Sequence, residues 1–348
     1  IFETIISFVF VFGLIVFVHE LGHFLVAKRS GVKVEEFAFG FPPRLIAKKI
    51  GETTYAINAI PLGGYVRMLG ENDDDKDARS FSQANMRRRA FIIVAGVTAN
   101  LLLAWILLTI ILVLPPRFKG SDAVLVVGVL PNSAAQGAGL NAGDMILKIN
   151  DVAINSPEQL RNATHQFADQ SVMIELRRGG QIQKKSAKLT SGDAPLGVSV
   201  SSFSLADEEN PSLLMAPVVA LQSIGRVTVS QLQFIGSLAL SPFRGVSVDA
   251  EQVSGPVGIY GILAQFTALG WVYVLFGAAQ LSLAVALFNI LPIPALDGGR
   301  LLFIVLESVF RRKVLSNNIE NIVHTVGFAL LIGLFMLVTY NDIVKLIK

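Results

Sequence analysis

The sequence predicts a polytopic α-helical membrane protein with four transmembrane helices and a small α/β domain inserted between the second and third. Three observations carry that expectation. Of 348 residues, 52% are hydrophobic and 16% are charged, whereas soluble domains carry about 25% charge. Four uncharged or nearly uncharged runs approach or exceed the roughly 20 helical residues that a bilayer core requires. Between 115 and 205 the pattern changes to short strands, turns and capped helical pieces.

The first run covers about 4–27: it is uncharged over 4–18 and resumes after Glu20 as "LGHFLVA". A polar triplet in its core makes it read as a span rather than a cleaved leader. The second run, 90–114, has no charge. The uncharged tract 253–296 is about twice a membrane thickness, with Gly255, Pro256 and Gly258 early and Pro292 and Pro294 late. It reads as a re-entrant or interfacial piece near 253–268 and a third span near 271–294 whose far end is broken. The fourth span is 321–341. "AKRSGVK", "MRRRA" and "FRRKV" all flank spans on one side of this layout, which makes that side cytoplasmic and places both termini and 115–205 opposite.

The insert begins "LVVGVLPNSAAQGAGLNAGDMILKINDVAI", a strand, a turn, a short helix and further strands. "SPEQLRNATHQF" is a helix capped by Ser156 with Pro157 in its first turn. "SVMIELRRGGQIQKKSAKL" is a hairpin about Gly179 and Gly180. The following 206–252 region is apolar with Gln222, Arg226, Gln231 and Gln233 scattered through it, which suits amphipathic helices associated with the membrane. The domains are therefore 1–114, 115–205, 206–252 and 253–348. A net charge of +3 serves membrane topology and implies a lipid bilayer, not nucleic acid, as partner. The absence of cysteine excludes disulfides and thiolate metal sites.

Polar residues in an apolar span need a reason. "VFVHELGHFLVAKRS", residues 16–30, sets His19, Glu20 and His23 inside the first span. Positions i and i+4 share a helix face, so the two imidazoles can ligate one zinc ion while Glu20 acts on water beside it. A third ligand must come from elsewhere. Asp297, in "FNILPIPALDGGR", is expected to be the one buried carboxylate outside the first span, and such a group is costly unless paired or metal-bound. The topology brings it to the same side as the histidines. Glu320 and His324 are also four apart, but they read as a solvated mouth of the fourth span. His165 reads as an ordinary surface histidine.

The order of "HELGH", "GGYVRM", "AGVTAN", "PNSAAQGAGLNAGD", "SGPVGI" and "NILPIPALDGG" along the chain resembles the site-two proteases, specifically the bacterial regulator of sigma-E protease group. The resemblance implies that His19, His23 and Asp297 bind Zn2+, that Glu20 is the catalytic base, and that Asn289 and Asn100 position substrate. It also implies that the insert is PDZ-like. Some relatives carry two such domains in tandem, whereas one is visible here. The implied substrate is a single-span membrane protein, such as an anti-sigma factor already trimmed by an upstream site-one protease. The implied location is the bacterial inner membrane, with the active site near the cytoplasmic side.

"TTYAINAIPLGGYVRML", residues 53–69, alternates and contains Gly63 and Gly64. On the residues alone it is either a plain cytoplasmic hairpin or one that dips toward the site and offers substrate a strand edge. The resemblance favours the second. The full expectation is thus four transmembrane helices, a cytoplasmic-side membrane-dipping β-hairpin and an inserted PDZ-like α/β domain. Two other readings compete. A Ste-type membrane zinc protease needs a glutamate as third ligand, and a non-catalytic scaffold displaying a PDZ domain would not need Glu20.

Overall fold

The computed structural model describes residues 2–71, 75–113, 124–130, 132–178, 181–192, 194–201, 211–244, 255–312, 315 and 317–347. Helix α1 (Phe2–Arg29) leads into two long strands, β1 (Val34–Ile50) and β2 (Thr53–Met68), and then into α2 (Met86–Val113). The insert holds β3 (Val124–Val129), α3 (Ala134–Gly137), β4 (Met145–Ile149), β5 (Val152–Ala153), α4 (Pro157–Gln166), β6 (Ser171–Arg178), β7 (Gln181–Lys188) and β8 (Val198–Ser201). After it come α5 (Ala216–Arg244), α6 (Pro256–Leu269), α7 (Trp271–Ile290), α8 (Asp297–Phe310) and α9 (Asn317–Ile347). The chain divides into two compact units, one of Ile1–Leu107, Thr228–Ile259 and Phe276–Lys348, the other of Leu108–Val227 and Tyr260–Leu275.

Among the described residues, four helices are long and apolar enough to cross a membrane: α1, α2, α7 and the Ile319–Val344 part of α9. They fall on the four expected runs. Gly270, at φ +110°, separates α6 from α7, and α7 ends before the Pro292–Pro294 stretch, as a helix must where proline removes the donor. Among the described residues of the 206–252 region there is one long helix, α5. One element differs from expectation: Asp297 opens a further helix, α8, where none was expected.

In the first unit, β1 and β2 each change partner along their length. Residues 36–39 pair with 54–57 on one side and with 64–67 on the other, while 44–50 pair with 53–58. Two strands thus make a sheet of four lanes. The tight turn falls at Gly51, φ +62°, and Gly63 and Gly64 lie inside β2. The alternation within 53–69 predicts a hairpin confined to that stretch; charges and two prolines in 34–50 conceal its other half. Phe24, Ala27, Val34, Phe37, Val66, Met68, Ile92 and Ile304 join α1, the sheet, α2 and α8 in one apolar cluster.

Charges are also buried here, and Asp297 is not the one buried carboxylate beyond the first span. Glu36 is 1% exposed and pairs with Arg44 and Arg67. Glu307 pairs with Arg89, and Asp342 accepts the Gly258 N–H at 2.8 Å. Each buried carboxylate has a donor within reach, two half-exposed arginines for Glu36, Arg89 for Glu307 and a backbone N–H for Asp342, which lowers the cost of burying a charge, and a count of charges along the chain does not see pairing.

In the second unit the sheet order is β7-β6-β4-β3-β8, with β5 paired to β4. Val126, Leu140, Ile146, Ile154, Leu160, Ile174 and Leu176 form its core. Ser156 caps α4 by accepting the Gln159 N–H at 3.2 Å, with Pro157 at the first position, as the sequence predicts. Arg178 pairs with Gln181 across the β6–β7 hairpin, whose turn residues Gly179 and Gly180 lie outside the described residues. Asp144, 1% exposed, accepts from Arg178 Nε at 2.6 Å.

Candidate metal centre

His19 and His23 sit one turn apart on α1 with their rings nearly perpendicular, 82° between planes. Their Nε2 atoms are 3.1 Å apart. Asp297 Oδ2 lies 3.1 Å from His19 Nε2 and 3.2 Å from His23 Nε2. The three ligand-type atoms thus converge on one point, with Asp297 Oδ2 buried. Tetrahedral zinc with ligands at 2.0–2.1 Å sets them about 3.3 Å apart, so this donor set fits the ion. Three protein ligands leave a fourth position open, the arrangement of catalytic rather than structural sites.

Each ring is fixed from behind. His23 Nδ1 lies 2.8 Å from the Ile92 carbonyl oxygen, so it carries the proton and leaves Nε2 free to ligate. His19 Nδ1 faces the Asn100 side-chain amide at 3.3 Å. Ligation through His19 Nε2 requires Asn100 to present its oxygen there, and this also gives the otherwise unpartnered Asn100 Oδ1 a donor. Ser282 of α7 donates to the Asn100 carbonyl at 2.9 Å.

Helix α2 contributes room. A Cβ at Gly96 would stand 2.3 Å from His23 Nε2 and 2.8 Å from His19 Cε1. A Cβ at Gly22 would stand 2.5 Å from the Ala95 carbonyl oxygen, so α1 and α2 approach closely only without side chains there. Asp297 arrives from the turn 291–296, which bonds itself through Ile293 N–H to Leu291 O at 2.7 Å and Leu296 N–H to Ile293 O at 3.2 Å. It is the first residue of α8, where the helix dipole favours a carboxylate. Arg300, one turn on, pairs with Glu71, whose other oxygen accepts the Met68 N–H at 3.2 Å. This ties α8 to the end of β2.

Glu20 is half-buried beside the ligands, within electrostatic range of His23, His19 and Asp297. Strand β2 passes it closely: a Cβ at Gly64 would stand 3.2 Å from Glu20 Cγ. Gly63 instead abuts the Phe41 ring. Asn100, expected to position substrate, is 0% exposed and turned to His19. Asn289 is half-buried in the last turn of α7 and takes no part in the contacts among His19, His23 and Asp297. His324 is not at a solvated mouth: it is half-buried, and its Nδ1 accepts the Ala295 N–H at 2.9 Å. His165 is exposed. Gly96 and the Arg300–Glu71 pair escaped the sequence reading. The four-residue spacing of Gly96 and Asn100 on α2 was the available signal.

Two histidines and an aspartate converging beside Glu20, on helices of membrane length, form a group that could hold a metal ion, as in membrane-embedded metallohydrolases. Residues 7–334 match peptidase family M50, and the chain belongs to that family. It is 36% identical over 333 residues to a provisionally named zinc metalloprotease of Clostridium perfringens, covering 96% of each chain. It is 29% identical to zinc metalloprotease RasP of Shouchella clausii, covering 99% of each. It is likewise 29% identical to RasP of Geobacillus kaustophilus, covering 99% of this chain and 98% of that one. Among solved structures, the PDZ domain of the SdrC-like protein from Listeria monocytogenes aligns with 23% of this chain and 87% of its own at 25% identity and a TM-score of 0.21.

The space at Gly96 is open to test. A methyl there would fall on Nε2 of His23, so if that nitrogen holds the metal, Gly96→Ala is expected to reduce bound metal at least about tenfold, the scale of losses when ligand surroundings are disturbed. Gly225→Ala, on α5 with nothing within 4 Å of the added atom, serves as control. Metal content of the purified proteins by atomic emission decides it, and wild-type occupancy in Gly96→Ala would show that the histidines do not face this gap.

Proposed function

We propose that this M50 peptidase is a zinc-dependent endopeptidase that cuts a membrane protein in or next to its transmembrane helix, in regulated intramembrane proteolysis. The observation that carries the reading is the triangle of His19, His23 and Asp297 ligand atoms with 3.1–3.2 Å edges on membrane-length helices. The names of the relatives, zinc metalloproteases, agree with it. A third ligand that is aspartate, not glutamate, favours the site-two type over the Ste type. A scaffold reading leaves Glu20 without a task.

When bound, zinc polarises the scissile carbonyl and makes water at the site more acidic. His19, His23 and Asp297 would hold the ion, and the Ile92 carbonyl and Asn100 would keep the two rings in ligating orientation. Glu20 takes a proton from the attacking water and returns it to the leaving amide nitrogen. A carbonyl inside an intact helix is bonded to its own chain, so the substrate span must first unwind. In lipid each freed backbone group costs several kcal/mol unless partnered, and the β2 lane at Gly63 and Gly64, together with Asn289, can supply partners. An apolar groove of about 680 Å³ between α1 and the sheet, lined by Phe10, Phe17, Phe39 and Ile57 with Lys48 its one charged lining residue, suits an apolar segment waiting there. The substrate class this fits is a single-span protein, such as an anti-sigma factor shortened by an upstream site-one protease.

Separating ligand from base tests the chemistry. In liposomes with a single-span substrate, Glu20→Gln is expected to lower cleavage by about 10²–10⁴-fold with zinc retained, whereas Asp297→Ala loses both. Wild-type cleavage by Glu20→Gln would remove the assigned base.

The orientation proposed is that of a bacterial inner-membrane protein, with the metal centre near the cytoplasmic side and the PDZ-like unit and both termini opposite. It rests on the Lys and Arg flanks of the spans. The chain has no cysteine, so single introduced thiols report cleanly. An impermeant thiol reagent applied to cells with a permeable outer boundary should label Ser186→Cys directly and Gln83→Cys only after lysis. The reverse pattern would invert the topology.

A further inference from the structure

We propose that His324 of α9 is a positioning residue for Asp297, holding the turn that presents this ligand to the metal. The proposal rests on the zinc-peptidase reading above and assigns a residue that touches neither metal nor substrate. Asp297 follows Ala295 by two residues, and Ala295 adopts φ +76°, a region that L side chains disfavour and that persists only where neighbours impose it. Its N–H donates to His324 Nδ1 at 2.9 Å. Three residues further along the same face of α9, a Cβ at Gly327 would stand 2.4 Å from Pro294 Cβ and 2.9 Å from Pro294 O. Helix α9 therefore grips residues 294 and 295 at two points, by a hydrogen bond and by backbone contact.

The ring itself is held. Phe303 of α8 meets it edge-on, with centroids 5.7 Å apart and planes at 80°. Accepting from Ala295 places the ring proton on Nε2, which is buried without a partner among the described residues. A side chain needed only to fill this space would be apolar, because burying an unpaired N–H is unfavourable. The sequence accepts that cost at the position where an acceptor meets the strained residue before the ligand. The chain of contact runs from His324 to Ala295, through Leu296, to Asp297, and the last step sets the direction of the carboxylate.

The test measures zinc affinity of the full chain in detergent by chelator competition, with thermal unfolding of the metal-free protein alongside. His324→Phe keeps a ring against Phe303 and loses the acceptor; His324→Asn keeps an oxygen at the δ position. The expected result is that His324→Phe binds zinc at least about tenfold more weakly while unfolding of the metal-free protein is unchanged, and that His324→Asn recovers most of the affinity. Gly327→Ala, which leaves the histidine intact but pushes on Pro294, is expected to weaken zinc in the same way. Wild-type affinity in His324→Phe or in Gly327→Ala overturns the proposal, as does a loss in His324→Phe that merely follows lowered stability of the metal-free protein and is not rescued by asparagine. If the wild-type chain itself binds no zinc, the peptidase reading falls first and this proposal with it.

Discussion

Two imidazole nitrogens and a carboxylate oxygen lie 3.1–3.2 Å from one another inside helices whose other faces are apolar. A carboxylate in such a place is costly unless it is paired or metal-bound. The surrounding unit is arranged around that constraint. Gly22 lets α1 and α2 approach, Gly96 clears the space in front of His23 Nε2, and the Ile92 carbonyl and Asn100 hold the rings from behind. Ser282 connects α7 to Asn100, and the turn after α7 delivers Asp297 at the head of α8.

Around this centre several buried or half-buried carboxylates have arginine partners. Glu36 with Arg44 and Arg67 stays within the sheet, Glu71 with Arg300 joins the sheet to α8, and Arg89 with Glu307 joins α2 to α8. Such pairs add little net stability, but losing the arginine leaves a carboxylate in the interior uncompensated. Their effect is to fix which elements lie against one another. That is what a metal site with its donors on two separate helices, α1 and α8, would require, since ligand atoms must keep their spacing to a fraction of an ångström.

Much of this was legible in the sequence, for a physical reason in each case. Span length and charge depletion report the bilayer requirement directly, so α1, α2, α7 and α9 stand out. His19, Glu20 and His23 are visible because helix geometry makes four-residue spacing meaningful, and Asp297 because a carboxylate ending a long uncharged tract is conspicuous. What stayed hidden depends on three-dimensional neighbours. Gly96 matters for the atoms it lacks. His324 looked solvated because its partner is a backbone N–H twenty-nine residues earlier. Glu36, Glu307 and Asp342 looked exposed because partners cannot be read from composition. The four-lane sheet was missed because half of its pairing belongs to the charged, proline-containing strand β1.

The most direct measurement is X-ray absorption at the zinc edge on the purified wild-type chain. The expected shell has four ligands, with the multiple-scattering signature of two imidazoles and the remaining nitrogen or oxygen neighbours at about 2.0–2.1 Å; in Asp297→Ala the residual zinc signal falls away. A shell of six oxygens, or one without imidazole scattering, would contradict a centre built from His19, His23 and Asp297.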